Sequence, residues 1–254
     1  MDSRKRFGDR AEQYQRYRPT YPGEIIGILE QEIGFSPDKV VADVGSGTGI
    51  SAEIFLRYGN RVYGVEPNEP MRRKAEAVLA DYGRFHSIAG QAEATGLPEA
   101  SIDLIVSAQA FHWFDRARAR AEFHRIASPG GFILLIWNDR RLESGFEQAY
   151  EEFLLRYGTD YSMVKRIHVP EEEVRAWFDP VPVKSYLLQS EQVLDEAALR
   201  GRVLSSSYMP TETHSGYPAM AAALERLFDE HNAAGTVRLT YNVRLYLGKA
   251  HLTA

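Results

Sequence analysis

Short apolar runs alternate with amphipathic segments between residues 24 and 137. Apolar residues spaced three and four apart, as in the stretch 25–33, predict helices. Apolar runs that stop at glycine or another turn residue predict buried strands. These patterns predict helices at 25–33, 50–58, 70–82 and 116–127, and strands at 39–44, 61–66, 85–88, 102–107 and 132–137.

An alternation of strands and helices favours a parallel sheet that helices cover on both faces, because each right-handed crossover carries a helix. We therefore expect a doubly wound α/β fold. Ligands of such sheets bind beyond the carboxyl ends of the strands. The turns after Val44, Glu66 and Ser107 should accordingly converge on one crevice.

The pattern changes after Asn138. Helices are predicted at 145–157, 171–178 and 195–207, and strands at 183–189 and 237–247. Every second residue from 237 to 247 is apolar, which predicts a half-buried strand, as one of a terminal antiparallel pair.

The composition limits the possible classes of protein. With 254 residues, of which 44% are hydrophobic, the chain can bury a full core as one domain. It has no cysteine, which excludes disulfides, thiolate zinc sites and thiol nucleophiles. No stretch approaches the ~20 apolar residues of a membrane span, so we expect a cytoplasmic protein with no membrane partner.

The charges and histidines weigh against two further classes. A formal net charge of -5 argues against a nucleic-acid partner, because such binding neutralises phosphates with basic residues. The histidines are scattered without ligand spacing, so no metal site is expected. Basic residues nevertheless crowd the N-terminus, which predicts either a solvated helix or a lid that attracts anions. These residues are Arg4, Lys5, Arg6, Arg10, Arg16 and Arg18.

The strongest chemical signal is the segment 43–49, which reads Asp-Val-Gly-Ser-Gly-Thr-Gly after a predicted strand. Alternate glycines let the backbone turn sharply and approach a ligand closely. A dinucleotide fingerprint would require a glycine at position 50, where this chain has Ile50. The segment resembles the first motif of class I S-adenosylmethionine-dependent methyltransferases. The resemblance implies that Asp43 meets the cofactor's ammonium, directly or through water, while Gly45, Ser46 and Gly47 leave room for its amino-acid portion.

The next predicted strand ends in Gly-Val-Glu-Pro-Asn at 64–68. The Glu66 carboxylate can accept both hydroxyls of a ribose, because it has two oxygens. Enzymes that use NAD carry an acid at the same place, and a solvent-exposed glutamate is the plainer alternative. Pro67 and Met71 offer an apolar shelf for the adenine, although a methionine at helical spacing is also an ordinary core residue.

The loop 89–98 resembles the family's Gly-x-Ala-Glu-x-x-x-Leu-Pro segment. By this resemblance, Gln91 and the backbone amide of Ala92 read the edge of the adenine. Many relatives have aspartate where this chain has Gln91, so the contact lacks charge assistance. Glu93 belongs to the same predicted cofactor loop, with local capping or pairing as its alternative role.

The segment 107–115 closely resembles the Ala-x-His-Trp-Phe-Asp signature of a subfamily that includes trans-aconitate-like methyltransferases. The resemblance places Ser107, Ala108 and Gln109 beneath the transferable methyl. His112 is a candidate general base and a substrate contact, with packing or a shaping hydrogen bond as the alternatives. Trp113 is expected to contact the substrate.

Two further segments resemble this subfamily. The stretch 7–22 matches its Ala-x-x-Tyr-x-x-Tyr-Arg-Pro-x-Tyr-Pro lead-in, which folds over the active site in relatives. Tyr14 and Arg18 are then expected at the carboxylate end of the cofactor, with amphipathic packing as the alternative. The residues expected to contact the substrate are Tyr17 and Tyr21, and, from the resemblance of 199–210, also Ser207 and Tyr208.

The resemblance implies a mostly parallel seven-stranded Rossmann-like sheet with an antiparallel terminal strand and a helical cap. We expect a single methyltransferase domain that acts as a monomer or homodimer. Its predicted parts are an N-terminal lid at 1–23, a cofactor-binding core at 24–137, a helical cap at 138–182, and strands and helices at 183–254 that complete the sheet.

The predicted function is methyl transfer from S-adenosylmethionine to a small-molecule acceptor. The basic N-terminus favours an anionic one. A carboxylate acceptor needs no base, whereas a hydroxyl or amine makes His112 or a tyrosine more plausible as the base. The alternatives are a non-catalytic cofactor-binding protein, a protein or nucleic-acid methyltransferase, and, more remotely, a nicotinamide dehydrogenase. The target-base motif Asn-Pro-Pro-Tyr is absent, since 107–110 reads Ser-Ala-Gln-Ala.

Overall fold

A computed structural model describes residues 11–161 and 169–251 of the chain. The strands in this part are β1 (Val40–Val44), β2 (Arg61–Val65), β3 (Phe85–Ile88), β4 (Ile102–Ala108), β5 (Ala127–Arg140), β6 (Val183–Leu194) and β7 (Val237–Lys249). The α-helices in this part are α1 (Ala11–Tyr17), α2 (Glu24–Ile33), α3 (Ile50–Tyr58), α4 (Glu69–Val78), α5 (Arg116–Ile126), α6 (Gly145–Tyr157), α7 (Glu171–Phe178), α8 (Glu196–Leu204) and α9 (Tyr217–His231).

The strands form one sheet in the order β3-β2-β1-β4-β5-β7-β6. Strands β1 to β5 pair in parallel, and β7 runs antiparallel to both of its neighbours, β5 and β6. The predicted fold class is therefore confirmed. The chain order reverses between β1 and β4, so the crevice expected of such sheets opens at the carboxyl ends of these two strands.

Local signals fix where several helices begin. The Asn68 side chain accepts from the Met71 amide and caps α4, and Asp115 caps α5 in the same way. Ser144 and Glu147 form a capping box at the start of α6, in which each side chain bonds the other's backbone amide. Two of these caps lie at the ends of loops that border the crevice, so they also fix the loops.

Some element boundaries differ from the predicted ones. Strand β5 runs from Ala127 to Arg140 rather than over 132–137, because its ladder with β7 continues to Arg140. Strand β6 extends to Leu194 for the same reason. Helix α4 ends at Val78 instead of 82, where the chain turns back so that β3 can pair with β2. Helix α9 was not predicted at all.

Three clusters of buried apolar side chains hold these elements together. The first two cover opposite faces of the sheet, because alternate β1 residues point to opposite sides: Val41 joins one cluster, and Ala42 and Val44 join the other. The third cluster, which we call the cap core, packs α6, α8 and α9 against β6 and β7 around Tyr150 and Tyr241. The predicted division into lid, core, cap and C-terminal part stays a prediction.

Among the described residues, no helix combines the length and the apolar character that membrane crossing requires. The expected cytoplasmic location stays a prediction.

Candidate functional site

A cavity of about 890 Å³ lies where β1, β2, β4 and β5 end. Its size is near the upper end of the ~300–1,000 Å³ typical of small-molecule sites. The turns after β1, β2 and β4 all contribute to its wall, as predicted from the strand pattern. The loop after β3, the end of β5, the segment around α1 and residues from α8 and the loop after it also contribute to the wall.

The glycine turn after β1 forms one wall of the cavity. Gly45 has a φ of 75°, and a Cβ there would lie 2.5 Å from Ala110 Cβ. Gly45 therefore lets the loop after β4 come close to the turn. Gly49, with a φ of 87°, serves packing instead, since a Cβ there would meet Leu79 at 2.6 Å.

Asp43 is fully buried behind this turn and does not line the cavity. Its Oδ2 accepts a hydrogen bond from Ser51 Oγ at 2.6 Å, whereas its Oδ1 has no partner among the described residues. Burial raises the pKa of the Asp43 carboxyl to about 7, while the Ser51 hydrogen bond lowers it and nearby Glu66 raises it. Asp43 thus joins β1 to the start of α3 and keeps one buried oxygen available.

Glu66 follows β2 and lines the cavity. Its Oε2 accepts from the Gly47 amide at 2.9 Å and its Oε1 from the Asn68 amide at 2.8 Å. Each carboxylate oxygen can accept a second bond, so both stay able to receive a ligand's hydroxyls. Met71 and Pro67 also line the cavity beside Glu66.

The loop after β3 brings Gln91, Ala92 and Glu93 to the cavity. Glu93 Oε1 accepts from the Asp115 amide at 2.7 Å, which ties this loop to the start of α5. This contact is the local pairing that was the alternative role of Glu93. Glu93 therefore stabilises the wall and also faces the cavity.

Ala108, at the end of β4, and Gln109, directly after it, contribute to the cavity wall, whereas Ser107 is buried. Gln109 has a φ of 56°, which is strained for a residue with a side chain. Its Nε2 donates to the Asn138 carbonyl at 3.0 Å, and this bond holds the loop against the end of β5.

His112 and Trp113 lie in a short 3₁₀ helix, Phe111–Trp113, and both line the cavity. Burial lowers the pKa of His112 to about 4, and the nearby Arg116 guanidinium lowers it further. The imidazole is therefore neutral at physiological pH. A group with so low a pKa is a weak base.

The segment around α1 covers the cavity. Tyr14, Arg18 and Tyr21 line it, whereas Tyr17 does not. The Tyr17 ring packs on Gly201 of α8, where an added Cβ would lie 2.2 Å from the ring. The beginning of the matched lead-in, 7–10, and the basic residues Arg4, Lys5, Arg6 and Arg10 lie outside the described residues.

Three arginines from separate segments form what we call the guanidinium cluster, namely Arg18, Arg140 and Arg202. Arg18 Nη2 donates to Ser206 Oγ at 3.4 Å, and Arg202 Nη1 donates to the same oxygen at 3.3 Å. Arg140 Nη2 donates to Glu151 Oε2 at 2.6 Å and to the Tyr161 hydroxyl at 2.5 Å. Within the part of the chain described, Glu151 is the only carboxylate paired with the cluster.

Arg18 is one of the predicted site residues, whereas Arg140 and Arg202 were not predicted. Burial lowers the pKa of Arg18, and the neighbouring positive charge of Arg202 lowers it further. Like charges held together in a buried site are costly unless an anion compensates them. For Arg202 a signal existed in the chain: it stands next to Val203 and three residues after Leu199, on the apolar side of a predicted helix.

Tyr208 lies beside this cluster and lines the cavity together with Ser207. Its ring centroid is 4.8 Å from that of Tyr161. Its backbone carbonyl accepts from the Thr159 amide at 2.8 Å, which holds the loop after α8 in place.

The structure brings most of the predicted site residues into one cavity. The cavity is lined by Tyr14, Arg18, Tyr21, Gly45, Ser46, Gly47, Glu66, Pro67, Met71, Gln91, Ala92, Glu93, Ala108, Gln109, His112, Trp113, Ser207 and Tyr208. The predicted residues outside its lining are Tyr17, Asp43 and Ser107. Among the described residues, no three histidine or carboxylate side chains lie close enough to hold a metal ion.

Comparisons with known proteins point to one family. A family model described as a methyltransferase domain matches residues 42–135. An uncharacterized methyltransferase of Mycobacterium tuberculosis is 31% identical over 201 residues, which make up 79% of this chain and 78% of that protein. An uncharacterized methyltransferase-like protein of Schizosaccharomyces pombe is 29% identical over 157 residues, or 61% of this chain and 60% of that protein.

Solved structures share the fold. A proposed type II methyltransferase from Anaeromyxobacter dehalogenans superposes with a TM-score of 0.65 at 24% identity, over 93% of this chain and all 100% of that chain. The YcgJ protein from Bacillus subtilis superposes with a TM-score of 0.56 at 18% identity, over 90% of this chain and 98% of that chain.

Proposed function

Because this chain belongs to the class I S-adenosylmethionine-dependent methyltransferases, we propose that it methylates a small anionic molecule bound at the guanidinium cluster. The cofactor is S-adenosylmethionine. The observation that carries the proposal is a set of three guanidiniums, the buried Arg202 and the half-buried Arg18 and Arg140, in the wall of the cavity that the cofactor loops also line.

The residues of the cavity fit the cofactor. Asp43 Oδ1 and Thr48 Oγ1 are buried polar atoms at the glycine turn that have no partner among the described residues. A polar ligand portion at this turn supplies the missing hydrogen bonds, and the raised pKa of Asp43 falls when a positive group approaches it. Glu66 would hold the ribose, with Met71 beside the adenine. Gln91 and Ala92 would read the adenine edge.

The charge balance of the cluster favours an anionic acceptor. Glu151 compensates one of the three guanidiniums through Arg140. Arg18 and Arg202 form no ion pair with a carboxylate in the described residues, and each leaves its Nε without a hydrogen bond. A planar guanidinium binds a carboxylate or phosphate through two parallel hydrogen bonds. One or two negative groups on the acceptor would therefore complete this wall.

The bound cofactor supplies a methyl group that is already activated for in-line displacement. The protein's own task is then to hold the acceptor close and aligned, which is worth up to ~7–11 kcal/mol in favourable intramolecular models. Arg18 and Arg202 fix the acceptor by its charge, and the ring of Trp113 excludes water. His112 is neutral and takes part as a hydrogen-bonding wall residue, because burial keeps its pKa at about 4.

The experiment that tests this function is a panel of small acceptors in matched pairs, each anionic compound beside its neutral amide or ester. Release of S-adenosylhomocysteine reports methyl transfer, starting from a metabolite extract that shows which fractions are active. We expect turnover of anionic members alone.

Asp43→Ala should bind the cofactor at least about tenfold more weakly, since it loses a charge-assisted contact.

Arg202→Gln provides the test of the anion site. It should raise the KM of the anionic acceptor by roughly 10- to 100-fold, the loss of one hydrogen bond to a charged group. Arg200→Gln is the matched control, because Arg200 lies on the same helix but pairs with Glu225 at the surface. Equal turnover of charged and neutral acceptors would contradict the anionic assignment.

A further inference from the structure

Tyr208 differs from two other tyrosines of the cavity, Tyr161 and Tyr241, in the groups around its hydroxyl. The Tyr161 hydroxyl donates to Glu151 at 2.7 Å, and the Tyr241 hydroxyl donates to Gln192 Oε1 at 3.0 Å, so both protons are committed to acceptors. Tyr208 lines the same cavity, and the positive charges of all three guanidiniums, those of Arg18, Arg140 and Arg202, act on its hydroxyl. It also shares a hydrogen bond with Ser206, whose Oγ accepts from two of these guanidiniums.

We propose that Tyr208 accepts the proton of the acceptor's nucleophile, and that the methylated atom is a hydroxyl oxygen or amine nitrogen separate from the anionic group. This inference rests on the proposed function, and it deepens that function by naming the class of nucleophile. A carboxylate needs no base to become a nucleophile. A phenol beside three guanidiniums is suited to a nucleophile that must lose a proton, because the positive charges stabilise the phenolate.

The surroundings of Tyr208 stabilise its ionised form. Burial alone raises the pKa of a phenol, but the positive charges of Arg18, Arg202 and Arg140 outweigh it and lower the pKa of Tyr208. Tyr150 and Tyr161 also face it, and burial raises the pKa of each of them, so both stay neutral. Glu151 cancels only part of this effect, since it offsets Arg140, whereas Arg18 and Arg202 form no ion pair with a carboxylate of the described residues.

The charges in this part of the cavity then balance. The Tyr208 phenolate and Glu151 offset two of the three guanidiniums, and one negative group on the acceptor offsets the third. His112 is the competing candidate for the base, but burial lowers its pKa to about 4 and makes it a poor proton acceptor. Tyr208 is therefore the better base of the two, since the efficiency of a base rises with its pKa while it stays ionised.

The proposed step conserves atoms and charge. The acceptor's O–H or N–H proton moves to the Tyr208 oxygen, and the freed electron pair of the nucleophile forms a bond to the methyl carbon. The carbon–sulfur bond breaks, and its electron pair stays on sulfur, which leaves a neutral thioether. Tyr208 later returns the proton to solvent.

The first experiment is an ultraviolet difference titration of the full chain without ligand, which detects ionised tyrosine independently of turnover. We expect wild type to show one phenolate that forms at lower pH than the remaining tyrosines. Tyr208→Phe should lose this transition, and Tyr161→Phe, the matched neighbour, should keep it. Arg18→Gln should shift the transition to higher pH, because one of the three positive charges is gone. A low-pH transition that persists in Tyr208→Phe overturns the proposal.

The second experiment measures turnover of an active acceptor against pH. Wild-type kcat should fall as pH drops below the Tyr208 transition, since the base becomes protonated. Tyr208→Phe should lower kcat by about 100-fold or more and lose this pH limb, with a smaller change in acceptor KM. A Tyr208→Phe variant as fast as wild type overturns the proposal. Failure of wild type to methylate any anionic acceptor would instead contradict the proposed function, whatever the titration shows.

Discussion

The protonation of the Asp43 carboxyl depends on two opposing influences. Burial favours its neutral form, and a bound cation favours its charged form. Burial raises the pKa of its carboxyl from 3.8 to about 7. The folded chain then holds the proton more tightly than the unfolded chain, so Asp43 costs stability as pH rises from 3.8 to about 7.

We expect Asp43→Asn to raise the free energy of unfolding at about pH 8 by up to about 4 kcal/mol, and to change it little near pH 4. Asparagine keeps an oxygen that can accept from Ser51 and removes the buried charge. Urea unfolding at both pH values measures the effect, and calorimetry should show weaker cofactor binding. A stability difference that is the same at both pH values would disprove this account.

His112 affects stability in the opposite direction with pH, because its pKa is lowered rather than raised. Burial lowers its pKa from 6.5 to about 4, so the unfolded chain takes up a proton that the folded chain refuses. Stability attributable to His112 is therefore lost as pH falls from 6.5 to about 4.

His112→Gln should accordingly be more stable than wild type at pH 4, by up to about 3 kcal/mol, and similar to it at about pH 8. Nuclear magnetic resonance titration of the imidazoles gives an independent measurement, in which the low-pH transition of wild-type His112 should be missing from the variant. A His112 transition near the ordinary value would contradict the description of its surroundings.

Among the secondary-structure elements, helix α1 is held over the cavity by contacts with α8, β6 and α4. The Tyr17 ring rests where Gly201 of α8 has no side chain, and Gln192 donates to the Tyr17 carbonyl at 3.0 Å. Lys74 of α4 pairs with Glu12 at 2.6 Å on the other side. Helix α1 thus bridges the cofactor half and the acceptor half of the cavity.

We expect Gly201→Ala to push α1 away from α8, because the new methyl would lie 2.2 Å from the Tyr17 ring. Limited proteolysis should then cut faster near residue 18, and the KM of the acceptor should rise several-fold. Gly27→Ala is the matched control: Gly27 also lies within a helix, but its Cβ would meet nothing within 4 Å. The control should be neutral or more stable by roughly 0.5–1 kcal/mol. Equal proteolysis of both variants would exclude a role for this contact.

The elements themselves were largely predictable. Every predicted strand exists, because each is a short apolar run bounded by turn residues. Ladder partners extended β5 and β6 beyond these runs, and such partners are not visible in a local pattern. Helix α9 was missed although Met220, Leu224 and Leu227 have helical spacing and are buried on one face. This helix was therefore predictable from its apolar pattern.

At the scale of the whole molecule, ligand binding should stabilise the fold. We expect S-adenosylhomocysteine at ~100 times its Kd to add about 2.7 kcal/mol to the free energy of unfolding. Thermal scanning measures this as a higher Tm, and NAD at the same concentration serves as the control ligand. Glu66→Ala should lose most of the shift, since Glu66 lines the cavity and is the carboxylate proposed to hold the ribose. An equal shift with NAD would contradict the cofactor assignment.

The two halves of the site differ in how far the sequence predicts them. The cofactor half consists of short motifs such as 43–49 and 64–68, whose spacing is visible in one chain segment. The guanidinium cluster joins Arg18, Arg140 and Arg202. Arg18 lies more than a hundred residues before the other two along the chain. No local pattern joins them, because only the packing of α1, β5 and α8 brings them together.

The separation between the cap core and the two clusters on the sheet bears on how such enzymes diverge. The matched methyltransferase domain, 42–135, ends before the cap core begins, and Arg202 is held by that core. Substitutions in the cap core can reshape the acceptor wall while the packing beneath the glycine turn stays unchanged. We therefore expect substitutions in the cap core to change the acceptor while the methyl donor stays the same, and directed evolution of this chain should begin with these residues.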